Sequence, residues 1–447
     1  MTDCNRRALL FSSLGRKQIV ADFTGGTLTS DAGGLLLREV ERRTGLIDAL
    51  AAAIHDPRDP ARIQHDQRVL LAQRIFGIAL GYEDLNDHQA LRRDPVLAVL
   101  TGRPPSPEEP LASSPTLCRL ENRVTRGDLV RLSGVLVEQF IASYESPPEE
   151  LVLDFDATDD PIHGNQEGRF FHGYYDHHCF LPLYVFCGAR LLVSYLRPSN
   201  IDGAHHAWPI LKLLVQRLRQ AWPGVRLIVR GDSGFCRWRM MKWCDRHGVK
   251  YVLGLARNTV LEAMAEPFMQ AAEGRFAATR QKVRNFHEVQ YAAQTWDRSR
   301  RIIVKAERLE QGPNVRFVVT NLTDRTPREI YDGLYTARGD MENRIKEQQL
   351  GLFADRTSCH AFLANQFRLL LSSAAYLLVE ALRRTALADT ELAEAQVDTI
   401  RLKLLKVAAR VVVSVRRVVL RLSSSYPLQN LWRSLLPRLR PIPPAPS

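Results

Sequence analysis

Apolar and polar positions change their spacing near residue 150, and that change divides the chain. Before it, apolar residues recur mostly at helical intervals. Gln18–Phe23 predicts a short strand, and Ser30 then stands as an N-cap for a helix through Leu36 and Val40. Gln67–Leu80 and Leu85–Leu100 are amphipathic, with Asp84 or Asn86 capping the second. Gly102–Thr116 is dense in Pro and Ser and reads as a linker or an exposed loop. A helix over Leu120–Tyr144 leads to a breaker at Ser146-Pro147-Pro148.

From Leu151 the apolar runs shorten to strand length. LVLDFDATDD is an apolar run ending in acids, which predicts a buried strand with carboxylates at its C-terminal end. Leu181–Gly188 and Arg190–Leu196 are further strands, and Gly203–Trp222 is a helix with Ile210, Leu213, Leu214 and Leu218 as its apolar positions. VRLIVRGDSGF (Val225–Phe235) is a second strand ending in an acid. A helix over Arg237–His247 and a strand over Lys250–Leu255 follow. This alternation predicts an α/β domain with a central sheet.

The rhythm breaks over Asn258–Thr320. After a helix at Met264–Ala272, the runs Phe286–Thr295, Arg301–Arg308 and Val315–Thr320 predict a β-rich insertion. Pro327–Leu350 is a long helix with Thr326 as N-cap and Pro327 at its first position. Gln366–Arg384 is a strongly apolar helix. Gln396–Ser447 holds ten Lys or Arg and one Asp, and its Pro-rich end is expected to be disordered. No tandem repeat of roughly 20–50 residues is visible.

Composition narrows the class. The 447 residues are 45% apolar and 25% charged, which excludes a disordered chain, a collagen and a disulfide mini-protein. Against 49 Asp and Glu stand 61 Lys and Arg, a balance of +12 that favours a polyanionic partner such as DNA or RNA. The seven cysteines form no CxxC pair, so neither a zinc knuckle nor a disulfide framework is expected, and a reducing cytoplasm suits them. No signal-peptide pattern opens the sequence. Its longest apolar stretch, near Leu369–Val379, falls short of the roughly 20 residues that a membrane span needs.

Three carboxylates stand out by position. Asp156 and Asp232 end strands, and Glu342 sits mid-helix in YTARGDMENRIKE. Open α/β sheets place ligands beyond the C-terminal ends of their strands. Two acids there, joined by one from a packing helix, make the oxygen donor set that hard cations such as Mg²⁺ require. A metal pair of this kind activates water and stabilises the leaving oxygen of a phosphodiester. The plainer reading of a strand-end acid is a turn or cap residue. Tyr335, Arg338 and Glu342 share one helical face, with Arg338–Glu342 and Glu342–Lys346 at i,i+4. That face is either a surface ladder of ion pairs or a carboxylate flanked by phosphate-binding cations.

Asp154 competes with Asp156, since residues two apart on a strand share a face. Asp156 is preferred because it is nearer the strand end, and Asp159 and Asp160 are read as capping the next turn. The adjacent pairs His177-His178 and His205-His206 point to opposite faces if on a strand, and no HExxH is present, so zinc is not expected. One of His172, His177 or His178 is a candidate DNA contact. No GxSxG appears, and Cys236 reads as packing. Trp208, Trp238 and Trp243 are read as core, with base stacking the alternative.

Taken in order, LDFDAT, VRGDSG and YTARGDMENRIKE resemble the bacterial insertion-sequence DDE transposases. The third motif resembles their signature Tyr-x2-Arg-x3-Glu-x6-Lys through Tyr335, Arg338 and Glu342. Gln349 occupies the signature lysine position, and Lys346 lies one helical turn nearer. DFTGGTLTSDAGGLLLREV, LASSPTLCRLENR and RLKLLKVAARVVVSVRRVVLRL resemble one subgroup, the insertion sequence 1380 family.

The resemblance implies a ribonuclease-H-like catalytic core over residues 151–257 and 326–385, interrupted by a β-rich insertion at 258–325. A mainly helical, end-binding region at 1–150 and a helical, basic region with a disordered tail at 386–447 flank it. It further implies that Asp156, Asp232 and Glu342 bind two Mg²⁺, for which Mn²⁺ can substitute. The activity implied is cleavage at terminal inverted repeats, followed by attack of the freed 3′-OH on target DNA. Tyr335 and Arg338 would contact DNA phosphate, with Lys346 a candidate for the lysine role. A dimer or larger synaptic assembly, in a bacterial cytoplasm at the nucleoid, completes the expectation. The competing readings are a DNA-binding protein without catalysis and a metal-dependent nuclease that cuts without joining.

Overall fold

The acid-ended strand beginning near Leu151 sits inside a mixed sheet of eight strands. The computed structural model describes residues 8–439. In chain order the strands are β1 (Glu150–Ala157), β2 (Leu183–Cys187), β3 (Arg190–Tyr195), β4 (Arg226–Gly231), β5 (Lys250–Leu255), β6 (Val283–Tyr291), β7 (Arg300–Leu309) and β8 (Gly312–Thr320). Their order in space is β6-β7-β8-β5-β4-β1-β2-β3. β1, β4 and β5 run parallel, and every other neighbour is antiparallel.

Both faces of the central strands are covered, as parallel strands require. On one face Leu151, Leu153, Phe155, Leu227 and Val229 share a core with Phe140, Leu211, Leu218 and Met241. The latter come from the helices Arg126–Ala142, Ala207–Ala221 and Trp238–Arg246. On the other, Ile228, Val252, Ile303 and Val318 meet Ile330 and Tyr331, which open the helical stretch that bears Glu342.

The chain divides into two compact units, residues 1–120 with 378–447, and residues 121–377. The whole sheet lies in the second. The strand-rich stretch after Asn258 extends this sheet: β8 pairs antiparallel with β5, Val252 facing Thr320, and β7 and β6 follow outward. Its helix is longer than the spacing predicts, Thr259–Thr279, because the Asn258 side chain caps it by accepting from Leu261 N at 2.9 Å.

Several boundaries differ, each for a local reason. The helix expected over Leu120–Tyr144 is two, Ser114–Arg123 and Arg126–Ala142, because Thr125 and Asp128 form a reciprocal capping box. Leu85–Leu100 breaks before Pro95, where Asp94 caps a new helix, Pro95–Thr101. Ser30 is not an N-cap; the helix begins at Gly34, after Gly33 donates to the Leu405 carbonyl at 3.1 Å. A Cβ at Gly33 would lie 1.9 Å from the Leu404 carbonyl oxygen, so that approach requires glycine. Gly102–Thr116 is not wholly exposed, since Leu111 and Ala112 are buried and Gln73 bonds both backbone groups of Ala112.

The first unit is helical through Gln67–Leu80 and its neighbours but opens on a hairpin, Leu9–Leu14 with Lys17–Ala21. The basic C-terminal region is not simply helical. Its valine-rich run folds as a second hairpin, Ala409–Ser414 with Arg417–Leu422, which pairs with Leu28–Thr29 before the helix Gln429–Leu439. Runs of β-branched residues favour such pairing. The Pro-rich end expected to be disordered lies outside the described residues.

The helix Phe362–Thr385 is long and apolar enough to cross a membrane, yet 89% of its apolar window is buried inside the protein, as in a core helix.

Candidate active site

Asp156 is the penultimate residue of β1, and Asp232 is the first residue after β4. The register sets Gly231 against Phe155, so Asp232, one step on, comes level with Asp156 on the neighbouring strand. The Asp156 carboxylate accepts from the Ala157 backbone N–H at 2.9 Å and meets Arg338 Nη1 at 3.4 Å. Asp232 also does the plainer job of a strand-end acid: it caps the turn Ser233–Phe235 by accepting from Gly234 N at 2.8 Å.

Glu342 arrives on the helix Gly339–Lys346 and pairs with Arg338 at 2.7 Å. Arg338 therefore lies between two of the three predicted carboxylates. Burial pushes the Asp156 carboxyl up to about 7; Arg338 pulls it down, while the charges of Asp232 and Glu342 push it further up. Burial disfavours the Arg338 charge, but Asp156, Glu342, Tyr335 and Asp232 outweigh it and leave its pKa raised.

The predicted helix is one helical run with changes of pitch. Thr326 caps it as expected, accepting from Glu329 N at 3.3 Å while the Glu329 carboxylate accepts from Thr326 N at 2.7 Å. Wide π turns occupy Glu329–Tyr335 and Glu347–Gly351, and a tight 3₁₀ turn spans Thr336–Arg338. Such wide turns recur at functional sites. Tyr335 is turned toward the sheet, packed 5.4 Å from Tyr331. A Cβ at Gly254 would come within 2.6 Å of its hydroxyl and 2.8 Å of the Ser233 backbone nitrogen.

Lys346 is exposed and has no ion pair among the described residues; Glu342 pairs with Arg338 instead. Gln349 donates to the Asp159 carbonyl at 3.0 Å and to Asp160 Oδ1 at 2.8 Å. Asp160 is thus not a turn cap: it is fully buried, and burial holds its carboxyl well above the ordinary range. Asp159 pairs with His177 at 2.8 Å. Asp154 is buried against Arg230, whose Nη2 bonds it at 2.6 Å and whose Nη1 donates to the Leu334 carbonyl at 2.5 Å.

Among the described residues, no three His, Cys, Asp or Glu side chains are grouped as ligands of one metal ion. The donor chemistry nevertheless fits a hard divalent cation, because Asp156, Asp232 and Glu342 offer only oxygens. Arg338 supplies the positive charge between Asp156 and Glu342.

The family model for the transposase DDE domain group 1 matches residues 11–444. The chain belongs to this DDE transposase family. A search of curated proteins finds no match. The cryo-EM structure of a piggyBac transposase synaptic complex with hairpin DNA is similar at a TM-score of 0.40 and 9% identity, over 84% of this chain and 80% of that one.

Two residues of this transposase escape motif reading. Arg230 precedes the GD of VRGDSG and resembles any strand cation, but an arginine on a buried strand requires a partner, and Asp154 is the acid level with it. Gly254 carries the one available signal, a glycine inside an apolar strand. The tryptophans Trp208, Trp238 and Trp243 are packed against the core, as expected.

Proposed function

We propose that this transposase cuts DNA at the terminal inverted repeats of its element and joins the freed 3′-OH to a target-DNA phosphate, displacing a target 3′ oxygen, with Asp156, Asp232 and Glu342 as its catalytic acids. The observation that carries this reading is that Asp156, near the end of β1, and Asp232, just past the end of the parallel β4, come level, with Arg338 tying Glu342 to Asp156. The run β3-β2-β1-β4-β5, three antiparallel strands continuing into two parallel ones, supports a ribonuclease-H-like core.

The three carboxylates would supply the oxygens for two Mg²⁺, or Mn²⁺ in their place. Ions held there would supply activation of water and stabilisation of the departing 3′ oxygen. Arg338 binds a phosphate oxygen near the cut, where its planar fork suits a two-point contact. Tyr335 lines the same end of β5, and exposed Lys346 adds a cation on the outer turn. Residues 1–150 read the DNA ends, with the basic C-terminal hairpin contributing. The protein works as a homodimer or larger synaptic assembly of a bacterial insertion sequence, of the insertion sequence 1380 subgroup, in the cytoplasm at the nucleoid.

The test is an excision and joining assay with Mg²⁺ and DNA carrying the element's own flanks. Joined product from the wild type, lost in Asp232→Ala, is the expected result. Cutting without joining supports a nuclease, and binding without cutting supports a decayed or repurposed DNA-binding protein.

A further inference from the structure

Between β1 and β2 the chain forms a small three-stranded ribbon: Asp160–Pro161, Phe170–His172 and His177–Phe180. Seven of the nine residues Phe170–His178 carry an aromatic or imidazole ring. The inner end is buried at Cys179 and Phe180, but the outer end is uncovered. Phe170 is 41%, Phe171 55% and Tyr174 85% exposed. An exposed group of large rings on a soluble protein marks a binding surface.

The rings are ordered among themselves and tied to the candidate active site. Phe171 meets His178 edge-on at 5.7 Å, and Tyr174 meets Tyr175 edge-on at 5.0 Å. Tyr175 lies 6.1 Å from His177, which bonds Asp159 at 2.8 Å. Asp159 is three residues beyond Asp156 on the same chain. Phe171 and His178 pair on one face of the ribbon, and Tyr174, through Tyr175 and His177 on the other, is continuous with the strand end that carries the first acid.

We propose that the Tyr174 face of this ribbon is a stacking platform for unpaired DNA bases beside the scissile phosphate, with Tyr174 as its outer ring. Rings offer their faces only to bases that have left the duplex stack, and they do so with little regard to sequence. Cutting and joining an end brings such bases to the carboxylates when the terminal pairs open. The proposal rests on the DNA reading above.

The test measures binding without metal, so it does not depend on cleavage. Wild type, Tyr174→Ala and Tyr174→Phe are titrated against two oligonucleotides of the same arbitrary sequence. One is fully paired; the other has its terminal bases splayed. The wild type is expected to prefer the splayed end. Tyr174→Ala should lower affinity for it by roughly 5- to 100-fold, while affinity for the paired duplex stays within about twofold. Tyr174→Phe should retain the preference. Because Tyr174 is almost fully exposed, its replacement leaves the core intact.

Tyr174→Ala binding the splayed end like wild type would overturn the proposal and leave the DNA reading standing. So would Tyr174→Ala changing only the oligomeric state, which would make the ribbon a protein-binding surface. A wild type that binds neither oligonucleotide would overturn both.

Discussion

Arg230 grips the buried Asp154 carboxylate with two nitrogens and holds the Leu334 carbonyl with a third contact, so one side chain ties β1, β4 and the Glu342-bearing helical run together. Removing one partner of such a pair strands a buried charge. Arg230→Met should therefore cost about 3–5 kcal/mol of stability, read from urea unfolding. Asp154→Asn/Arg230→Met should recover much of that loss, because no charge is then left alone. A single variant as stable as wild type would show that the pair is not structurally coupled.

Gly254 and Tyr335 make the second prediction. Gly254→Ala forces a Cβ against the Tyr335 hydroxyl and the Ser233 backbone. Overpacking of this kind costs about 1–3 kcal/mol. Adding Tyr335→Phe should relieve only part of it, since the Ser233 contact remains. The melting temperatures of the two single variants and the double variant separate these contributions. Full relief in the double variant would contradict the backbone clash.

The C-terminal hairpin sets Arg410 directly opposite Arg421, both exposed and without an ion pair among the described residues. Like charges facing across strands destabilise, and a DNA phosphate between them would reverse the sign. Arg421→Thr should thus raise the stability of the free protein by about 0.2–1 kcal/mol. It should also weaken DNA binding and lower the slope of log K against log salt by about 1. An unchanged slope would remove the hairpin from the DNA surface.

His88 supplies a pH dependence. Burial, helped by Arg74, lowers its pKa to about 3. The unfolded imidazole, at about 6.5, then takes up its proton first. Its stabilising contribution is complete above about pH 6.5 and drains away toward pH 3, at up to about 1.4 kcal/mol per pH unit. Urea midpoints at pH 7.5 and pH 5.5 should differ less in His88→Gln than in wild type. An equal pH dependence in the two proteins would assign the loss to other groups.

What the sequence made legible followed from how local the signal was. The strands at Leu151 and Val225, the alternation with helices and the Thr326 cap depend on neighbouring residues, and their chemistry is visible in a few positions. The Gly102–Thr116 strap was not legible, because Gln73 holds it from a distant helix. Nor was the C-terminal hairpin, whose valines and arginines suit a helix or a strand until Leu28–Thr29 supplies an edge to pair with. At the candidate site, spacing brought out Asp156, Asp232, Arg338 and Glu342. Strand position also set Asp156 ahead of Asp154, but it did not bring out Asp154's partner Arg230 on another strand, or the role of Gln349, which reaches Asp160 across nearly 190 residues.

The proposed function requires Asp156, Asp232 and Glu342 to act together on a bound DNA end. The most direct measurement is the rate of end cleavage in Mg²⁺ by wild type, Asp232→Asn and Glu342→Gln, with DNA affinity determined for each. These acids are first ligands in the account, so each variant should lose more than the roughly 100-fold typical of an outer-shell change, with affinity held within a few-fold. Cleavage near the wild-type rate in either variant would contradict the account.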